Sequence, residues 1–254
     1  MIKFKKPKTP YTYTIHNFRR LLRSGGDVGL VVSLINNEKK FTLVHDLLVD
    51  EDTEKSMAIL DKLEPYIQRC SAEKLKYMIY AIEAGVDLSP YILTNSAEKL
   101  YIIYSGLVKG YDITKYCTNE YNIDQMRMVN LGVQSGHDVS MYNNVDLTWD
   151  QMNTIYQGIK DGLDVFKYAD PKYSTERMRL IKNGLHERLD TSHYSDINKY
   201  DDDQAEIIYR GLRHGIDISQ FTKPHNFTAY GMRVICDQLI MDKMRDDHFQ
   251  GGTK

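Results

Sequence analysis

The sequence predicts an all-α protein: a right-handed α-solenoid of repeats about 26 residues long with divergent capping ends. Three observations predict it. A turn phrase recurs, as GVDLSPY from Gly85, GYDITKY from Gly110, GHDVSMY from Gly136, GLDVFKY from Gly162 and GIDISQF from Gly215. A short polar residue stands fourteen positions before each turn: Ser71, Ser96, Asn122, Thr148, Ser174 and Asp201. Apolar residues follow each of these at helical spacing.

Each element of the repeat has a physical reason. The six polar residues suit a helix N-cap, because a short side-chain oxygen accepts from a free amide of the first turn. Two positions on stands an acid in every copy (Glu73, Glu98, Asp124, Asp150, Glu176, Asp203), favoured by the positive end of the helix dipole. The fourth residues after the cap are Leu75, Leu100, Met126, Met152, Met178 and Ala205. The seventh are Met78, Ile103, Val129, Ile155, Ile181 and Ile208, and the eleventh Ile82, Leu107, Val133, Ile159, Leu185 and Leu212. This spacing is one face of an α-helix.

The tenth residue is small in every copy: Ala81, Gly106, Gly132, Gly158, Gly184 and Gly211. A mid-helix glycine costs roughly 1 kcal/mol relative to alanine, so a close neighbour is expected there. The turn glycine ends the helix, where a left-handed residue is favoured. Arg188 stands in its place in one copy, and an irregular joint or a different helix end is expected there. The Asp two after the turn (Asp87, Asp112, Asp138, Asp164, Asp190, Asp217) is read as the cap of a short helical turn. The aromatic four further on (Tyr91, Tyr116, Tyr142, Tyr168, Tyr194, Phe221) is placed to fold back against the helices.

The pattern fades outwards, giving three regions. Residues 1–70 form a divergent N-terminal capping region, 71–226 six regular repeats, and 227–254 a C-terminal capping helix and tail. Within the first, residues 11–27 resemble a divergent copy, and Phe41, Val44 and Leu48 suit another helix. Thr53, Met57, Leu60 and Leu63 suit a shorter helix that stops near Pro65. At the other end Thr228, Met232, Ile235 and Leu239 continue the phase, and that helix runs on through MDKMRDD.

Composition narrows the function classes. The formal net charge of -2 gives no general attraction to nucleic acid or anionic membranes. No apolar run reaches the length of a membrane span. The lysine-rich start (Lys3, Lys5, Lys6, Lys8) lacks the apolar segment of a signal peptide and reads as a solvated tail. Cys70, Cys117 and Cys236 form no CxxC pair, so a reducing, cytoplasmic setting is expected. No catalytic or nucleotide-binding signature is present, the eight histidines are scattered, and no cofactor or catalytic residue is expected. The Asp column is spaced a whole repeat apart, about 10 Å at ordinary helix packing distances, too far for one metal ion.

The turn phrases, with the helix openings Gln125–Met126 and Gln151–Met152, resemble a family of short helical repeats built on Gly-x-Asp-Val-Ser-x-Tyr turns. That family is common in Firmicutes and their phages and mobile elements. The resemblance covers residues 71–221 and implies the α-solenoid; it implies no catalytic residues. It also suggests a phage or mobile-element inhibitor that binds a host defence protein.

Function is sought where equivalent positions differ. Positions 1, 5, 8 and 12 after the cap form one strip beside the apolar face. It carries Tyr101, Tyr104, Trp149, Tyr156 and Tyr209, with Lys76, Arg127, Lys160, Arg179, Lys182 and Arg213, against Glu83, Asp202 and Glu206. Aromatic residues and arginine dominate binding hot spots. The expected partner-binding residues are Tyr101, Tyr104, Arg127, Trp149, Tyr156, Lys160, Arg179, Lys182, Tyr209 and Arg213. The expected partner is a protein of acidic character. Six strips in a row would make a ribbon roughly 50 Å long. Two other readings stay open: tyrosines packed on the short turns beside solvated cations, or capture of single-stranded nucleic acid or a nucleotide-like molecule. Homo-oligomerisation through the last helix is a further expectation.

Overall fold

A computed structural model describes residues 37, 39–40, 42–43, 53–67, 69–116, 118, 120–222 and 227–251. The basic run at the start, the divergent copy at 11–27, Phe41, Val44, Leu48 and Cys117 lie outside them. The described residues are helical, with adjacent helices packed against each other and no strand among them. None of these helices is long and apolar enough to cross a membrane. The chain divides into two compact units, Met1–Asn119 and Glu120–Lys254, and the division falls within the stretch of regular repeats.

The first unit contains α1 (Thr53–Ile67), α2 (Ala72–Glu83) and α3 (Ala97–Val108). The second contains α4 (Ile123–Gln134), α5 (Trp149–Lys160), α6 (Thr175–His186), α7 (Asp202–Arg213) and α8 (Ala229–Gly251). Short 3-10 turns lie at Ile113–Lys115, Val165–Lys167, Thr191–His193 and Ile218–Phe221.

α1 ends two residues past Pro65, at Ile67. The buried side chains of Leu63 and Ile67 hold that last turn, and the buried Lys40 ammonium donates to the Ile67 carbonyl at 2.7 Å. Apolar burial there outweighs the missing proline amide.

All six expected caps are made. Each cap residue has extended backbone and accepts from the amide three residues on, from 2.7 Å at Asp201 to 3.4 Å at Ser71. The fourth and seventh positions form the core, every one of them buried. The eleventh positions are only half-buried.

The tenth-position glycines are explained by the aromatic at the end of their own repeat. A β-carbon on Gly158 would lie 1.8 Å from the Tyr168 hydroxyl oxygen. The equivalent separations at Gly106, Gly132 and Gly184 are 2.1, 1.6 and 1.9 Å, from Tyr116, Tyr142 and Tyr194. The ring therefore folds back under the helix and leaves no room for a methyl group. Tyr116, Tyr142, Tyr168, Tyr194 and Phe221 are fully buried in this way. Burial raises the Tyr142, Tyr168 and Tyr194 hydroxyls far above the ordinary tyrosine range.

The joint at Arg188 is regular, contrary to expectation. Arg188 adopts φ 59°, beside 63° to 73° at the turn glycines. The Leu189 amide donates to the Gly184 carbonyl at 2.8 Å and the Arg188 amide to the Leu185 carbonyl at 3.1 Å. The glycine joints make the same two bonds, as Val86 to Ala81 and Gly85 to Ile82 show. This paired closure satisfies the last helix carbonyls and outweighs the cost of a left-handed arginine.

The turn aspartates cap as expected, with one exception. Asp87, Asp112, Asp138, Asp190 and Asp217 each accept from the amide two residues on. Asp164 makes no such bond, and the residue two after it is Phe166 where the other copies have Ser or Thr. Hydrogen bonds from those hydroxyls and amides hold Asp87, Asp112, Asp190 and Asp217 below the usual carboxylate range.

In α4 to α7 the third residue after the cap ties the helix to the loop ahead. The Gln125 amide donates to the carbonyls of Val145 and Leu147, and Gln151 to those of Pro171 and Tyr173. Gln204 donates to the Phe227 carbonyl. At the equivalent place Arg177 is fully buried; it donates to the Tyr194 and Tyr200 carbonyls and pairs with Asp202 at 3.0 Å.

Candidate binding surface

In the first unit, α2 and α3 bring four tyrosines together. Tyr77 and Tyr80 come from α2, Tyr101 and Tyr104 from α3. Ring centroids lie 5.7 Å apart for Tyr77–Tyr101, 6.2 Å for Tyr80–Tyr104, 6.4 Å for Tyr77–Tyr80 and 6.5 Å for Tyr77–Tyr104. The Lys76 ammonium sits 5.6 Å from the Tyr80 ring centre. Tyr101 is 55% exposed and Tyr80 38%, while Tyr77 and Tyr104 are half-buried. One turn beyond Tyr104, Val108 is also exposed. The i, i+3 spacing on each helix gathers these rings into one patch.

Tyr77 and Tyr80 escaped the sequence reading because they stand sixth and ninth after the cap, outside the strip considered. Their signal was present: Tyr77 and Tyr80 are one turn apart, as are Tyr101 and Tyr104 one repeat later.

The second unit treats its tyrosines differently. Tyr156 is buried, edge-on to Tyr142 at 6.2 Å and to His137 at 5.6 Å. Tyr209 is buried edge-on to Tyr194 at 6.0 Å, and its hydroxyl donates to Glu187 at 3.1 Å. Burial and the Glu187 carboxylate raise the Tyr209 hydroxyl above its ordinary range. Tyr156 and Tyr209, expected among the partner-binding residues, are thus packed as in the other reading, with tyrosines set on the short turns. Both fill the space against the turn of the repeat before them.

The arginines of the strip face carboxylates of their own unit. Arg127 pairs with Asp124 at 3.2 Å, Arg179 with Asp150 at 3.5 Å and Glu176 at 3.8 Å, and Arg213 with Glu187 at 3.3 Å. Such exposed pairs contribute little stability, but they offset the positive charge. Lys160 is exposed with its ammonium 5.8 Å from the Tyr156 ring centre, and Lys182 is half-buried. Trp149 is 43% exposed at the start of α5. In this unit the strip thus combines arginines paired with carboxylates, two lysines and one exposed indole.

Cys70 and Cys236 are buried free thiols, and burial raises both above the ordinary thiol range. No protein-family model matches the chain, and no curated protein or solved structure is significantly similar to it.

Proposed function

We propose that this chain is a non-enzymatic protein-binding module, its repeats stacked as a right-handed α-solenoid. It recognises its partner through the patch of Tyr77, Tyr80, Tyr101 and Tyr104. One observation carries the reading: four tyrosine rings crowd one half-exposed patch, whereas the repeated turn tyrosines from Tyr116 to Tyr194 are buried. Half-exposed aromatic rings with polar tips are the side chains that contribute most at protein interfaces. The charge compensation of Arg127, Arg179 and Arg213 favours a partner held by apolar and hydroxyl contacts over a strongly acidic one. On the resemblance of the repeats, the partner class is a host defence protein and the chain its phage-borne or mobile-element-borne inhibitor.

The test is capture of a partner by the purified chain, then titration of that partner against variants. Tyr101→Ala with Tyr80→Ala is expected to weaken binding at least tenfold, about 1.4 kcal/mol. Unchanged affinity for that double variant overturns the reading. The rings and the adjacent Lys76 ammonium also support a second reading, stacking of a nucleobase with its phosphate near the lysine. A rise in melting temperature with a nucleotide or a short single strand, and no protein present, would favour that reading.

A further inference from the structure

One face of α8 carries exposed apolar side chains, Tyr230, Val234, Met241 and Met244. α7 shows what the same face does elsewhere in this unit. Counted from its cap Asp201, the sixth and ninth residues are Ile207 and Arg210. Ile207 is fully buried and its carbonyl faces the Cys236 thiol of α8. Arg210 pairs with Asp237 of α8 at 2.7 Å. The sixth residues of α4 and α5, Met128 and Thr154, are buried as well. This is the face by which one helix receives the next.

Counted from Thr228, the sixth residue of α8 is Val234, and it is 52% exposed. Tyr230, Met241 and Met244 are 78%, 56% and 59% exposed. With Asp237 these residues are spaced four, three, four and three apart, a single stripe along the helix. The opposite face is occupied, since Met232, Cys236 and Ile240 are buried.

We infer that this stripe is a self-association surface, on which two copies of the chain pack α8 against α8 in antiparallel orientation about a two-fold axis. The stripe has the same apolar–polar–apolar order in both directions. Tyr230 and Val234 form one apolar end, Met241 and Met244 the other, and Asp237 with Gln238 the polar middle. An antiparallel copy centred on that middle sets Tyr230 opposite Met244 of the second copy, and Val234 opposite its Met241. A two-fold interface requires such self-complementarity, and an unrelated partner does not. The tyrosine–methionine contact is itself favourable. Asp237 approaches its own equivalent near the axis, but each carboxylate already has Arg210 beside it. The stripe from Tyr230 to Met244 is only about 21 Å long at 1.5 Å per residue.

Sedimentation equilibrium of the full chain over roughly 1–300 µM tests this, with a concentration-dependent dimer expected. Tyr230→Glu and Met244→Lys, each at an exposed position, are expected to weaken the dimer singly at least tenfold. Combined in one chain they are expected to restore it, because the antiparallel register sets each acid against a base of the other copy. Circular dichroism checks that each variant keeps its helices. A monomer throughout the range overturns the inference, as does a dimer indifferent to both single substitutions. Failure of the combined variant to recover overturns the antiparallel register.

Discussion

Tyr104 in the first unit and Tyr156 and Tyr209 in the second occupy the same position, eighth after the cap, yet only Tyr104 joins a half-exposed patch. The difference lies in what precedes them. Tyr156 and Tyr209 close on Tyr142 and Tyr194, the fully buried rings of the turns before their helices. Ahead of Tyr104, the turn ring is Tyr91, which is only half-buried, and Ala81 stands where later helices have glycine. Tyr104 instead meets Tyr77 and Tyr80 of the previous helix. A repeat position is thus core or surface according to the ring its neighbour supplies.

The sharpest way to break this comparison is to truncate both tyrosines. Tyr156→Ala is expected to cost about 3 kcal/mol of unfolding free energy, as for other buried aromatic truncations. Tyr104→Ala should cost about 1 kcal/mol, because its ring is partly solvated already. Equal losses in urea denaturation would remove the distinction. Gly158→Ala comes next, at about 2 kcal/mol, because its methyl group would strike the Tyr168 hydroxyl. Adding Tyr168→Phe should recover much of that loss. Such recovery would show that the hydroxyl, with no hydrogen-bond partner among the described residues, is what excludes alanine. The smallest effect is expected at the odd joint, where Arg188→Gly should stabilise by about 0.5 kcal/mol, relief of a left-handed side chain being partly offset by glycine's greater freedom in the unfolded chain. A destabilised variant would mean that Arg188 makes a favourable contact of its own.

What could be read in the sequence was local. The caps at Ser71 to Asp201, the glycines and the folded-back tyrosines follow from spacing within one repeat, where each residue's partner is a fixed number of positions away. The fate of Tyr156 and Tyr209 depends on a ring from the preceding repeat, which spacing within a repeat does not register. Arg177 was missed because an arginine is ordinarily an exposed residue. Its burial rests on two loop carbonyls and Asp202 meeting its guanidinium together. Arg188 was misread because the glycine preference describes a lone residue, and the two joint hydrogen bonds around it decide the geometry.

The glycine–tyrosine packing has a consequence for how the chain varies in length. From cap to turn aromatic the distance is twenty residues in every copy, from Ser71–Tyr91 to Asp201–Phe221. From that aromatic to the next cap it is five residues at Tyr91, six at Tyr116, Tyr142 and Tyr168, and seven at Tyr194 and Phe221. All the length variation among these repeats therefore falls in one short loop. The part that carries the ring beneath its helix admits no extra residue, because an insertion would pull the ring away from its glycine. Beyond the ring the chain is free to lengthen, provided a carbonyl near the next cap still reaches Gln125, Gln151, Arg177 or Gln204. Insertions that add new contacts to this scaffold have one place to arise, directly after the aromatic residue.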